Sequence, residues 1–84
     1  MEYEIKQKPD MFFIRLNPGK YAYLKYTITD NKMSVNSTFT PTEWRRKGLA
    51  AMLMKNAIDY AKKKQLQLIP ACSYARYYLK RNKL

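Results

Sequence analysis

A basic turn with a central glycine stands directly before an apolar helical segment in the middle of the chain. The turn reads RRKGLA over residues 45–50, and apolar residues at helical spacing continue as far as Ala61. A glycine turn that opens a helix presents unpartnered backbone N–H groups and the positive end of the helix dipole. Because cations lie in the same turn, this pattern predicts a site for a phosphate group.

The four residues before the turn carry a second signal for the start of a helix. They read TPTE over residues 40–43. The Thr-x-x-Glu spacing with a proline is typical of a capping box, in which Thr40 and Glu43 bind the first backbone groups of the helix. We therefore expect Glu43 to cap the helix. Trp44 is expected to anchor the core, and the alternative is that its ring covers a bound ligand.

Cys72 is the single cysteine of the chain, and it lies between an apolar strand and a helix. The thiolate form is favoured near a helix N-terminus, so Cys72 is a candidate nucleophile that accepts an acyl group. The alternative is a small buried apolar residue. Since the chain has no histidine, we expect no zinc site, and one cysteine excludes an internal disulfide.

Length and charge limit what kind of protein this is. Its 84 residues predict a single domain over residues 1–84, and the net charge of +11 predicts attraction to polyanions. Nucleic acid, an anionic membrane and a phosphorylated cofactor all remain candidates. Residues 1–10 lack the apolar core of a signal peptide, and no apolar run approaches membrane-spanning length. We therefore expect a cytoplasmic protein.

The elements that must position these residues follow from the hydrophobic period. Alternation predicts strands over residues 2–7, 11–16, 20–29 and 33–39, joined by short turns as an antiparallel meander. In the fourth strand, Met33, Val35, Ser37 and Phe39 are expected on one face. The period then becomes helical to about residue 64, followed by a strand over 66–70 and a helix over 73–82. A strand that returns after a helix runs parallel to its neighbour, so the fold class is α+β with the order ββββ-α-β-α.

These residues together resemble the GNAT acetyltransferase superfamily, and within it the small YjdJ-type group of minimal domains. The superfamily loop pattern Gln/Arg-x-x-Gly-x-Gly/Ala is matched by Arg45, Gly48 and Ala50. The preceding TPTE, the helix through Ala61 and the closing IPACSY over residues 69–74 add to the likeness. It covers roughly residues 11–82.

The resemblance implies a binding site for acetyl-CoA. The loop amides would hold the pyrophosphate of acetyl-CoA. The end of the preceding strand would bind its pantetheine arm. The residues so implied are Thr38, Phe39, Thr40, Arg45, Arg46, Lys47, Gly48, Leu49, Ala50 and Ala51. Tyr78 stands where the family often has a tyrosine in its last helix, so it is implied as the acid that protonates the departing thiolate.

Two departures from the family shape the predicted activity. The chain has Ser37-Thr38 where members often carry a His-Thr pair, so a general base would have to be a carboxylate, a tyrosine or a relayed water. Only Lys8, Pro9 and Asp10 separate the first two strands, where the larger members have helices that wall the acceptor pocket. We therefore expect an N-acetyltransferase, or an acetyl-CoA binder, whose amine acceptor is exposed on a macromolecule such as a protein.

A nucleic-acid-binding module without catalysis is the alternative function. The tail YARYYLKRNK over residues 74–83 mixes aromatic and basic residues. Such rings can stack on bases while the cations meet phosphates. Salt sensitivity separates the two functions, because binding driven by phosphate contacts weakens steeply with salt.

Overall fold

The computed structural model describes residues 3–82 of the chain. The bounds of the elements are β1 (Lys6–Lys8), β2 (Met11–Asn17), β3 (Lys20–Thr29), β4 (Lys32–Phe39), a 3-10 turn (Thr42–Trp44), α1 (Leu49–Lys63), β5 (Gln67–Pro70) and α2 (Ser73–Arg81). The predicted α+β class and the order ββββ-α-β-α are confirmed.

The strands form one five-stranded sheet in the order β1-β2-β3-β4-β5. The first four strands are antiparallel neighbours, whereas β5 runs parallel to β4, as the crossover through α1 requires. The turn between β3 and β4 is a two-residue loop in which Asp30 and Asn31 both have positive φ. That backbone geometry matches the right-handed twist of a hairpin.

The first strand differs from the prediction. It was expected over residues 2–7 with Tyr3 and Ile5 on one face, but it begins at Lys6 and pairs only three residues with β2. Residue 2 lies outside the described residues. Tyr3 and Ile5 pack against the core without belonging to the strand, so their alternation reflects burial and not sheet pairing.

One hydrophobic core joins the sheet to both helices. Alternate residues of the strands are fully buried on the sheet face that the helices cover, among them Phe12, Leu24 and Tyr26. The hydroxyl of Tyr26 donates to the Lys8 carbonyl at 3.1 Å and accepts from Gln7 Nε2 at 2.9 Å. This buried hydroxyl is therefore satisfied, and it ties β1 to the sheet.

A β-bulge at Asn36 changes which face the end of β4 presents. Lys25 pairs with Ser37 and Tyr26 with Val35, so Asn36 is an extra residue without a partner on β3. Because side chains alternate along a strand, one extra residue moves every later side chain to the other face. Ser37 and Phe39 were expected on the face of Met33 and Val35. That prediction is wrong for both, since Ser37 pairs with Lys25, and Phe39 pairs with Tyr23 and stacks on its ring at 5.4 Å.

The sheet face opposite the helices carries aromatic residues and is called the outer face below. Its side chains come from the strand positions between the buried ones, including Phe13, Tyr21, Tyr23 and, after the bulge, Phe39. The ring centroids of Phe13 and Tyr21 lie 6.0 Å apart. Tyr21 is 42% exposed and Phe39 is 43% exposed.

The capping box predicted at Thr40–Glu43 is also wrong. Pro41 is extended, with ψ of 148°, and the 3-10 turn that follows has no side-chain cap. Trp44 N–H donates to the Pro41 carbonyl at 2.9 Å, so a short turn takes the place of a helix start. Glu43 instead accepts a hydrogen bond from Lys20 at 2.6 Å, and α1 begins only at Leu49.

The Lys20–Glu43 ion pair makes a prediction about pH. The hydrogen bond from Lys20, a backbone hydrogen bond and the nearby charge hold the pKa of Glu43 below its ordinary value of 4.5. A carboxyl whose pKa is lower in the folded state stabilises the fold above that ordinary value, and the contribution disappears as the pH falls through the folded-state pKa. We expect Glu43→Gln to lower the urea midpoint slightly at neutral pH, because both partners are exposed. The two proteins should converge in acid, and an unchanged difference there would contradict this role.

Candidate functional site

Strands β4 and β5 separate part of the way along the sheet. Their pairing ends at Val35 and Pro70, while β4 continues to Phe39. The N–H groups of Ala71 and Cys72 both donate to the Val35 carbonyl at 3.0 Å and turn the chain away from β4 into α2. The edge of β4 over residues 36–39 is therefore not covered by β5, and a groove lies beside it.

The loop that follows β4 bends around the end of this groove. Arg45 Nε donates to the Thr40 carbonyl at 3.2 Å, which fastens the loop to the strand end. Arg46 has φ of 67° and Gly48 has φ of 78°, so two residues of the loop are left-handed. Successive backbone N–H groups in such turns point to one side and form a concave site for anions.

Helix α1 begins at this loop with its first amides free of helical partners. Gly48 is the N-cap residue and has no side chain to cap with, and the first helical bond runs from Met52 N–H to the Gly48 carbonyl at 3.0 Å. The N–H groups of Leu49, Ala50 and Ala51 therefore have no acceptor within the helix. Together with the helix dipole they favour a bound anion.

A groove of about 390 Å³ joins these features, and it is called the β4–α1 groove below. It contains every residue predicted to hold the cofactor except Lys47, together with two others. The residues that line it are Thr38, Phe39, Thr40, Trp44, Arg45, Arg46, Gly48, Leu49, Ala50, Ala51 and Tyr74. The lining has two arginines and no carboxylate, so its charge favours an anionic ligand.

Comparison with protein families decides what kind of fold this groove belongs to. A family model described as GCN5-related N-acetyl-transferase matches residues 11–84. The chain belongs to this acetyltransferase family. The resemblance to the GNAT superfamily drawn from the loop and helix is thereby confirmed, while the roles of the individual groove residues stay predictions.

A solved structure of the same kind supports the assignment. The chain is similar to a GCN5-like protein from Staphylococcus aureus whose structure was determined in solution by NMR. The two share 27% sequence identity with a TM-score of 0.79, over 95% of this chain and 80% of the other. The search of curated proteins finds no match to this sequence.

Tyr74, and not Tyr78, lines the groove of this GNAT domain. Tyr78 was the tyrosine implied by the family, but it packs partly buried against the core, with its ring 6.2 Å from that of Tyr74. Burial, followed by the neighbouring Tyr78 and Tyr77, raises the pKa of Tyr74 above its ordinary value of 10.0. Its hydroxyl therefore keeps its proton throughout the neutral range, so the proton is present to be donated.

Cys72 lies outside the groove lining and caps α2. It is half-buried, and its Sγ accepts a hydrogen bond from the Ala75 N–H at 3.3 Å. The expected placement at a helix N-terminus is thus observed. The nucleophilic role of Cys72 stays a prediction, because the structure places its thiol in a cap and does not bring it to the residues that line the groove.

The capping contact predicts different outcomes for two substitutions of Cys72. Cys72→Ala removes the acceptor of the Ala75 N–H and should lower the free energy of unfolding by about 1 kcal/mol, the usual cost of losing a helix cap. Cys72→Ser retains an acceptor of the preferred kind and should leave stability unchanged or raised. Urea unfolding of both variants measures this. Equal losses would show that the thiol stabilises by packing and not by capping.

Two further findings concern metals and membranes. Among residues 3–82, no three histidine, cysteine or acidic side chains are grouped so that they could hold a metal ion. Within the same part of the chain, neither helix has the length and apolar character needed to cross a membrane.

Proposed function

We propose that this GNAT domain is an acetyl-CoA-dependent N-acetyltransferase whose acceptor is an exposed amine on a macromolecule. The observation that carries the proposal is the β4–α1 groove, where an unpaired strand edge leads directly to free helix amides and arginines. Acetyl-CoA has the matching shape, since an amide-containing arm joins its thioester to a pyrophosphate. The thioester supplies an activated acetyl group.

The phosphate end of the ligand would lie at the start of α1. The amides of Leu49, Ala50 and Ala51 would donate to the pyrophosphate, and the guanidinium groups of Arg45 and Arg46 would balance its charge. A Cβ added at Gly48 would meet no atom within 4 Å beyond those of its chain neighbours. The space beside Gly48 is therefore free for a phosphate to approach the backbone closely.

The pantetheine arm would lie along the free edge of β4. Backbone groups of residues 36–39 that β5 leaves unpaired can bind its amides as another strand would. Near Thr40, a backbone N–H would polarise the thioester carbonyl, as preorganised donors do in other acyl transfers. Trp44 lines the groove while its partly buried side chain packs against the core, so it can anchor the core, as expected, and would also cover the ligand.

Proton transfer would involve Tyr74 and water. The Tyr74 hydroxyl, protonated at neutral pH, would give its proton to the departing thiolate. Among residues 3–82, no carboxylate lines the groove, and the chain has no histidine. The acceptor ammonium group would therefore lose its first proton to water, so the rate should rise with pH towards the pKa of that amine. As the C–N bond forms and the C–S bond breaks, the second proton of the nitrogen would return through water to the Tyr74 oxygen that protonated the thiolate.

Two features support a large acceptor with an exposed amine. The β1–β2 connection is a tight turn at Pro9 and Asp10, so it adds no helix beside the groove. The outer face next to Phe39 is also uncovered. An amine on a protein surface can approach from this side, whereas a small amine would find few walls to hold it.

Calorimetric titration with acetyl-CoA at low and moderate salt tests the proposal. We expect saturable binding at one site per chain, with the dissociation constant rising less than about tenfold between about 50 and 200 mM salt. The amide contacts are buried by the ligand and so resist screening. Absence of heat at both salt concentrations would contradict the proposal.

A competing nucleic-acid function would give the opposite dependence on salt. Binding driven by several phosphate contacts loses about 10³-fold or more over the same interval. If acetyl-CoA fails to bind while nucleic acid binds at low salt, the groove is not a cofactor site in this chain.

A further inference from the structure

The outer face combines rings and cations that, apart from Phe39 at its border, do not line the β4–α1 groove. Cross-strand partners share a face, so the pairs Lys6–Phe13, Lys8–Met11, Arg15–Tyr21, Met11–Lys25 and Thr29–Lys32 all place their side chains there. No strand position on this face is occupied by Asp or Glu, in the part of the chain that the structure describes.

The cations lie directly beside the rings. Lys8 Nζ is 5.4 Å from the ring centroid of Phe13, and Lys25 Nζ is 5.5 Å from that of Tyr23. A groove of about 460 Å³ lies beside the rings of Phe13 and Tyr23. It is lined entirely by strand and turn residues, including Tyr21 and Gly19. A ligand here would meet aromatic surface and positive charge together.

We propose that the outer face binds single-stranded nucleic acid. Bases that are not paired can stack on aromatic side chains, while the lysines beside those rings bind the phosphates of the same strand. The net charge of +11 would add long-range attraction. This proposal does not depend on acetyl transfer, because it uses residues outside the loop and helix start that would hold the pyrophosphate.

Other occupants fit the face less well. A second copy of the chain would bring the same lysines and arginine against one another, since an isologous contact pairs a surface with itself. Duplex nucleic acid offers phosphates but no free base faces for the rings. An acidic polypeptide would satisfy the cations and leave the ring surface without planar partners.

The structure also separates this face from the tail considered in the sequence. Of the tail tyrosines, Tyr77 is 56% exposed on α2. Its ring already lies 6.0 Å from the Arg81 guanidinium. Tyr74 and Tyr78 pack against the core. Tyr77 is therefore an exposed ring beside a cation, but it lies on α2 and not on the outer face. It can serve as a control for the rings of that face.

Fluorescence anisotropy with labelled oligouridylate and oligothymidylate tests the proposal. Oligomers of about 12 nucleotides are suitable, because that length lies within the usual site sizes. Tyr21→Leu keeps apolar area but removes the ring, and we expect it to weaken binding by about tenfold, as the loss of one stacked base does. The matched control Tyr77→Leu should change binding by less than about twofold. Whichever oligomer binds more tightly identifies RNA or DNA as the preferred strand.

The charge of the face is tested in the same way. Lys25→Gln should reduce the salt dependence of binding more than Lys62→Gln, which removes an exposed lysine from α1. Acetyl-CoA titration of Tyr21→Leu is the folding control, and its dissociation constant should match that of the unsubstituted protein. If the unsubstituted protein binds no acetyl-CoA, an unchanged thermal midpoint of Tyr21→Leu serves as the folding control instead. The two proposals therefore fail separately.

Several results would overturn the proposal. One is an equal loss of oligonucleotide affinity in Tyr21→Leu and Tyr77→Leu. Another is duplex binding as tight as single-strand binding. A third is competition by polyglutamate that equals competition by oligouridylate at the same charge. Dimerisation that Tyr21→Leu abolishes would assign the face to a second copy instead. Tight single-strand binding whose affinity falls in the outer-face variants and not in the controls would support the nucleic-acid proposal.

Discussion

Gly48→Val should abolish acetyl-CoA binding while leaving a folded protein. Gly48 is left-handed, with φ of 78°, and its missing Cβ faces open space in the β4–α1 groove. A valine there would occupy the position through which a pyrophosphate approaches the loop amides. Losing two charge-assisted hydrogen bonds, at about 1.5–3 kcal/mol each, would raise the dissociation constant by about 10²-fold or more.

Gly19→Val is the matched control for this substitution. Gly19 has φ of 76° and likewise, its chain neighbours aside, no protein atom within 4 Å of an added Cβ, but it lies in the β2–β3 turn and does not line the β4–α1 groove. Both variants carry the same backbone strain of about 1–2 kcal/mol. Calorimetry should show binding only for Gly19→Val. Unchanged affinity in a folded Gly48→Val protein would refute the pyrophosphate site.

Tyr74→Phe should lower the turnover number by about 100-fold without weakening acetyl-CoA binding. The variant keeps the ring but removes the proton that would pass to the departing thiolate, and a positioned general acid contributes about 10²–10⁴-fold. Because burial raises the pKa of Tyr74 above 10.0, the loss should be constant across the neutral range. Chromatographic assay of coenzyme A release with a lysine-rich peptide as acceptor would measure it.

Tyr78→Phe is the control, four residues further along the same helix. It also loses one hydroxyl, but Tyr78 does not line the groove, so its turnover number should stay within about twofold of the original. If Tyr78→Phe caused the larger loss, the family-based assignment of Tyr78 would be restored and Tyr74 would be a packing residue.

The sequence predicted the elements well because period and turn chemistry are local properties. Alternation along β2 and β3, the Asp30-Asn31 turn and the apolar ridge of α1 each depend on neighbouring residues. The glycine loop could be identified for the same reason. Its glycine, its cations and the helix that follows are contiguous, so predicting an anion site there needs no long-range information.

The errors arose where a distant contact decides the outcome. Asn36 is bulged only because Ser37 and Val35 pair with successive residues of β3, and nothing in residues 33–39 shows an extra residue. Phe39 was therefore assigned to the wrong face. The Thr40–Glu43 spacing met the local rule for a capping box, but Lys20, more than twenty residues away, holds Glu43.

The choice between Tyr74 and Tyr78 could not be made from the helix alone. Residues four apart lie on the same side of a helix, so both tyrosines face the body of the protein. Which ring reaches the groove depends on how the chain passes from β5 into α2. There the N–H groups of Ala71 and Cys72 donate to the Val35 carbonyl, which belongs to a strand from another part of the chain.

The parallel pairing of β5 with β4 has a consequence for the order in which the molecule assembles. The turns that join β1 to β4 are short, so we expect these strands to meet early and β5 to pair only after the α1 crossover has formed. One wall of the groove is α2, which follows β5, so we expect this wall to be completed last. A ligand stabilises the folded state and not a state in which this wall has opened, so acetyl-CoA should slow amide hydrogen exchange in β5 and α2 more than in β2 and β3.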